Sequence, residues 1–171
     1  MRNLSLVCLL TAFITTSASA GFLIDPYIGA GQSKSTADVS SIDGAESFSA
    51  TGARIGYSFL LLSAGIDYQM GSIDKDKVTS TSVFVGVDMP ILIRAWAEVF
   101  TSSTYEQDTE VYGIDFKDGT SIGIGFTGLP FVSLNVEVQN INYTMKNVPS
   151  IGDVDVKTAQ TVFSISLPLD L

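Results

Sequence analysis

From residue 21 onward, apolar and polar side chains alternate with a period of two in one segment after another, and no ten-residue stretch repeats at helical spacing. Ala53, Ile55, Tyr57 and Phe59 alternate with Gly52, Arg54, Gly56 and Ser58. Leu62, Ala64, Ile66 and Tyr68 alternate with Ser63, Gly65, Asp67 and Gln69. The rule repeats at Val83, Val85 and Val87, at Ile91, Ile93, Ala95, Ala97 and Val99, and at Ile122, Ile124 and Phe126. It returns at Val132, Leu134, Val136 and Val138 and at Phe163, Ile165, Leu167 and Leu169. Period two sends alternate side chains to opposite faces, so each segment reads as a strand with one apolar face. Eight strands are predicted, over 21–33, 47–59, 62–73, 78–88, 91–104, 113–127, 131–145 and 157–171. An even number is what a closed antiparallel barrel with both ends on one side requires.

The polar face decides what surrounds the barrel. A soluble barrel packs its apolar set inside and presents a charged surface, whereas here the polar positions are rich in Gly and Ser and poor in Lys and Glu. Small residues suit a narrow lumen. The apolar positions carry no charge through the seven clearest segments, as expected where a Lys or Arg on lipid at the midplane costs about 2–4 kcal/mol. The predicted fold class is therefore all-β: an eight-stranded antiparallel transmembrane β-barrel, an up-and-down meander. A soluble lipocalin-like binder in the periplasm is the alternative, with the two faces exchanged.

Connection lengths alternate. Tight turns are expected at Leu60-Leu61, at Asp88-Met89-Pro90 and at Gly128-Leu129-Pro130. Longer polar connections are expected near 34–46, 74–77, 105–112 and 146–156. In both proline turns the proline ends the loop, where no ladder hydrogen bond is forfeited.

The first twenty residues have a different character. Arg2, an apolar run from Leu4 to Ile14 and the small residues Ala18-Ser19-Ala20 form the pattern of an export signal. The expected division is a cleaved signal peptide over 1–20 and a barrel over 21–171. The run falls short of the roughly 20 residues a spanning helix needs. The one cysteine, Cys8, lies inside this segment, so the mature chain has no disulfide or thiolate chemistry.

Signal, hairpin spacing, the start Gly21-Phe22-Leu23-Ile24-Asp25-Pro26-Tyr27-Ile28-Gly29-Ala30-Gly31 and the alternating end Phe163, Ile165, Leu167, Leu169, Leu171 resemble one family. It is the small eight-stranded outer-membrane barrels of Gram-negative bacteria, which includes the OmpA transmembrane domain and OmpX. The resemblance covers the whole mature chain and implies an outer-membrane location, a lipid-embedded wall and the barrel-assembly machinery as partner during biogenesis. Members commonly finish on an aromatic residue, where this chain has Leu171. No peptidoglycan-binding domain is expected after the eighth strand.

Charge and composition narrow the chemistry. Nine Lys and Arg against eighteen Asp and Glu give −9, which excludes a nucleic-acid coat and makes cations or lipids the natural partners. Histidine is absent, which removes Ser-His-Asp and Cys-His nucleophiles, His-ligated zinc and histidine acid–base catalysis together. No catalytic residue, metal ligand or cofactor is expected. Glu98 and Glu137, the only inward Glu pair, have no cleft that could hold a sugar for glycoside hydrolysis.

What remains is a lumen charge network of Arg54, Asp67, Asp88, Arg94, Glu98 and Glu137, with Asp25 on the same face. A two-residue turn at Leu60-Leu61 places Arg54 directly across from Asp67, and an ion pair is expected there. Such a network reads first as a plug, since charges in a narrow bore must be paired. A second reading makes Arg94, Glu98 and Glu137 the gate of a small pore. Trp96 reads as lumen filling, and Phe22, Tyr57, Phe59, Tyr68, Phe126 and Tyr143 as interfacial aromatics.

Twelve acids fall on loops and strand tips: Asp38, Asp43, Glu46, Asp74, Asp76, Glu106, Asp108, Glu110, Asp115, Asp118, Asp153 and Asp155. They keep the loops hydrated and offer a surface to partners, with divalent cations as the alternative ligand. The expected function is a structural or surface-interaction role in the cell envelope.

Overall fold

The computed structural model describes residues 20–37, 46–73, 76–106, 113–148 and 152–171. The expected signal segment up to residue 19 lies outside them, as do Asp38, Asp43, Asp74, Asp108 and Glu110. The strands are β1 (Ala20–Ala37), β2 (Glu46–Phe59), β3 (Leu62–Ile73), β4 (Asp76–Met89), β5 (Ile93–Glu106), β6 (Gly113–Phe126), β7 (Ser133–Val148) and β8 (Gly152–Ser166), followed by a two-residue β9 (Leu169–Asp170). Each pairs antiparallel with the next, and β8 returns to β1 to close the wall. β9 resumes β8 along β1 after Pro168, which has no N–H to give the ladder.

Closure sets the geometry. The ladder from Ile24 runs through Ile55, Ile66, Val83, Val99, Thr120, Asn140 and Ala159 and returns to β1 at Lys34, ten residues beyond its start. A shear of ten over eight strands tilts them by about 40° to the axis, so each residue climbs about 2.5 Å.

The seven alternating segments keep the faces expected of them. Ile28, Tyr57, Val85, Ile122 and Phe163 are more than half exposed, while Arg54, Asp67, Arg94, Glu98 and Glu137 are buried inside. On β1 the outward row runs Phe22, Ile24, Pro26, Ile28, Ala30, and then turns polar at Gln32 and Lys34. The other strands change at the matching height: Ala53 gives way to Thr51 on β2, Val83 to Thr81 on β4, and Val138 to Asn140 on β7. The apolar band borne by the strands is therefore about 20 Å tall. This wall excludes the soluble alternative, because such an area of exposed apolar side chains has no stable contact with water.

Above the band, toward the long connections, the polarity inverts. Phe48, Ala50, Ile73, Val78, Phe100, Ile141, Tyr143, Val154 and Val156 point inward and are buried, under an outer face of Ser, Thr and Asn. The barrel has two storeys, one built for lipid and one built like a soluble β-protein. The upper storey rises roughly 15–20 Å beyond the band.

Strands reach further into the upper storey than the alternation suggested: β1 continues to Ala37 and β8 begins at Gly152, so Asp153 and Asp155 lie on a strand. Tyr143 is not an interfacial aromatic; it is buried against Phe100 and Ile141 inside the upper storey. The second turn falls at 90–92, and Leu92 sits in it rather than on the inner face. Two β-bulges, at Thr101 and Lys117, stand just above the lipid band, each adding one outward residue to its strand.

Candidate functional site

The shear draws inward carboxylates from four strands onto one guanidinium. Arg54 on β2 lies with Nη2 2.7 Å from Glu137 Oε2, Nε 3.1 Å from Glu98 Oε1 and 3.5 Å from Asp67 Oδ2, and Nη1 3.7 Å from Asp25 Oδ2. Asp67 is the register partner of Arg54. Its shorter contacts come from Tyr27, whose hydroxyl donates to both carboxylate oxygens at 3.1 Å. Arg54 instead spends its shortest contacts across the bore. The faces of Trp96 and Tyr27 flank the guanidinium, 4.3 and 4.9 Å from its carbon, which suits a planar, weakly hydrated cation.

Neutral donors serve the two glutamates of the belt. Ser82 donates to Glu98 Oε2, while Trp96 Nε1 donates to Glu137 Oε2 and Ser121 and Gln139 donate to Glu137 Oε1. A carboxylate out of water needs its lone pairs occupied, and these groups occupy them. Tyr27, Ser82, Ser121 and Gln139 were not singled out from sequence; their inward parity was the available signal.

Arg94, grouped with Glu98 and Glu137 in the gate reading, has its ion pairs elsewhere. It lies one layer nearer the turn end, with Nη1 2.9 Å from Asp25 Oδ2 and Nε 3.0 Å from Asp88 Oδ1. Asp25 thus links the two arginines. Glycines make room for the large groups: a Cβ at Gly123 would meet the Trp96 indole, and one at Gly125 would meet the Arg94 stem. Beside Asp25, Arg54 and Arg94 the remaining cavity is ≈ 10 Å³, about one water in size.

Toward the loop end the belt is followed by a polar layer containing Gln69, Gln139 and Gln160, then by the apolar layer of Phe48, Ile73, Val78 and Ile141. Above these opens a recess of ≈ 210 Å³ lined by Glu46, Asp76, Tyr105, Ile114, Tyr143 and Met145, among others. Tyr105 donates to Asp76 at 2.9 Å. Burial, that hydrogen bond and the Asp76 charge push the Tyr105 hydroxyl well above its ordinary value. On the flank, Lys117 and Thr144 donate to Asp155 at 2.7 and 2.9 Å and hold its carboxyl below the usual range, while Lys146 pairs with Asp153 at 2.8 Å. Among the described residues no group of three potential ligands converges on a metal-sized point. Of the proposed cation clusters, Glu106 is described and its companions Asp108 and Glu110 are not; Asp76 is described and Asp74 is not.

No protein-family model matches the chain, and no curated protein resembles it in sequence. Solved structures do share its fold. Ail, the attachment invasion locus protein of Yersinia pestis, solved with the heparin analogue sucrose octasulfate, superposes with a TM-score of 0.57 at 12% identity, over 87% of this chain and 99% of that one. Neisserial surface protein A gives 0.53 at 14% identity over 87% and 98%. AlkL, an outer membrane protein studied in lipid bilayers, gives 0.51 at 10% over 92% and 94%. The fold is that of the small eight-stranded outer-membrane barrels.

Proposed function

We propose that this chain is an outer-membrane protein whose bore is closed by the Arg54 belt and whose role is structural or surface contact, made through the protruding storey and its acidic loops. The observation that carries the reading is the belt itself. Two guanidiniums and five carboxylates interlock across a bore that eight strands make only wide enough for side chains. Residues 1–20 are the export signal, and the mature chain starts at Gly21. The turns face the periplasm, and the upper storey carries the recess and the loop acids outward, where a partner meets them. Two proteins of similar fold, the attachment invasion locus protein Ail and Neisserial surface protein A, carry names that are in keeping with this role.

Planar bilayers test the closed bore. The reconstituted wild type is expected to show no conductance steps from pH 4 to 8, and Arg54→Ser with Glu98→Ala to show them. Steps in the wild type would instead make the chain a small gated pore. Fractionation tests location: the protein is expected in the outer-membrane fraction with a mobility that changes on boiling, and its appearance in the soluble periplasm would overturn the reading.

A further inference from the structure

The strands alone carry a lipid-facing band of about 20 Å, short of the roughly 25 Å usual for such barrels. The turns at the same end are as apolar as the band. Leu60, Leu61, Ile91, Leu92, Leu129 and Phe131 are all exposed, Phe131 by 84%, and they run without a break into Phe59, Leu62, Ile93 and Phe126. No charge lies in the turns 60–61, 90–92 or 127–132.

Their backbone is unusual as well. Among the described residues only three other than glycine have positive φ: Leu60 at 57°, Leu92 at 63° and Phe131 at 68°, one in each turn. A turn washed by water would take Gly or Asn at a left-handed position. Here large apolar side chains occupy all three, at a cost in backbone strain that aqueous exposure does not offset.

We propose that the turn end of the barrel is sunk into its leaflet, with the three turns seated among phospholipid headgroups and upper acyl chains as anchors that complete the hydrophobic thickness. The occupant is phospholipid because the apolar surface is continuous with the lipid-facing wall and all three turns that carry it are free of charge. Interfacial apolar groups rest at that depth in other membrane-surface segments. The inference rests on the membrane reading above and extends it to the turns.

Single-cysteine variants in a Cys8→Ser background separate the two. A bimane label is placed at Leu61, Ile91, Leu129, Val136 or Thr79 of the full chain, folded into phosphatidylethanolamine–phosphatidylglycerol vesicles, with the boiling-dependent gel shift confirming each fold. Quenching by a lipid with a doxyl group at acyl carbon 5 is compared with quenching by aqueous iodide. The turn labels are expected to be quenched at least threefold more by the doxyl lipid than the Thr79 label, and threefold less by iodide. Iodide quenching equal to that at Thr79, or shielding from both quenchers as in a protein–protein contact, overturns the proposal. Failure of lipid quenching at Val136 as well would sink the membrane reading itself.

Discussion

The two arginines illustrate how burial sets the worth of a charge. Arg54 is 4% exposed and holds four carboxylates, whereas Arg94 holds two: buried Asp25, which also faces Arg54, and Asp88, whose side chain is 40% exposed at the mouth. Removing the cation from a buried set leaves its partners uncompensated and costs about 3–5 kcal/mol, while a partly wet pair is worth about 1 kcal/mol or less. Arg54→Met is therefore expected to lower stability by several kcal/mol in urea unfolding from vesicles, and Arg94→Met by less, because Asp88 is partly wet and Arg54 still faces the Asp25 that Arg94 would abandon. Arg54→Lys is not expected to rescue, because a single ammonium cannot serve acceptors spread around a planar fork. Outside the membrane, Asp155 gives a pH signature. Its depressed carboxyl means that its contribution is present above the ordinary aspartate value and is lost as pH falls through the lowered one. Lys117→Met is expected to move the Asp155 titration upward, read by carboxyl NMR; an unchanged titration would assign the depression to other groups.

The bulge residue Thr101 has no register partner, since Thr81 opposes Ser102 and Ser82 opposes Phe100. Deleting it leaves Phe100, Ser103 and Tyr105 on their inner face. Deleting Thr104 turns Tyr105 outward, away from Asp76. The first deletion is expected to keep stability within about 1 kcal/mol and the second to lose the near-ultraviolet tyrosine signal. At the turns, a left-handed Leu or Phe costs about 1–2 kcal/mol, and covering such a side chain with an apolar medium returns about 1.5–3 kcal/mol. Lipid cover thus suffices to retain the strained residues. The expected Leu60-Leu61 turn was legible in sequence as a connection, but its left-handed leucine was not, since the composition there offers neither Gly nor Asn.

At the scale of the whole barrel, lipid should end where the outer face changes from apolar to Ser and Thr. On β4, Val85 stands within the band and Thr79 above it, both pointing outward. Val85→Lys is expected to cost about 2–4 kcal/mol of folding stability in vesicles and Thr79→Lys close to nothing. Equal costs would erase the boundary between storeys. That boundary was present in the sequence as a switch of parity: apolar residues sit at 48 and 50 but at 53 and 55 within β2, and at 141 but at 134, 136 and 138 within β7. Read segment by segment, the alternation showed the lower storey alone, because the upper one is interrupted by bulges and by polar outward rows.

Alternation is a local property, set by the pleat and by which medium each face meets, so the chain by itself determined the class of fold, the apolar wall and the inward direction of Arg54, Asp67, Asp88, Arg94, Glu98 and Glu137. Neighbour pairing followed as well, since a two-residue turn sets Arg54 opposite Asp67. Who meets across the bore is a different matter. It depends on the stagger accumulated around eight strands, bulges included, and that sum exists only once the wall has closed. Tertiary structure alone therefore decided that Glu98 and Glu137 share Arg54, that Arg94 goes to Asp25 and Asp88, and that Leu60, Leu92 and Phe131 take a left-handed backbone in their turns.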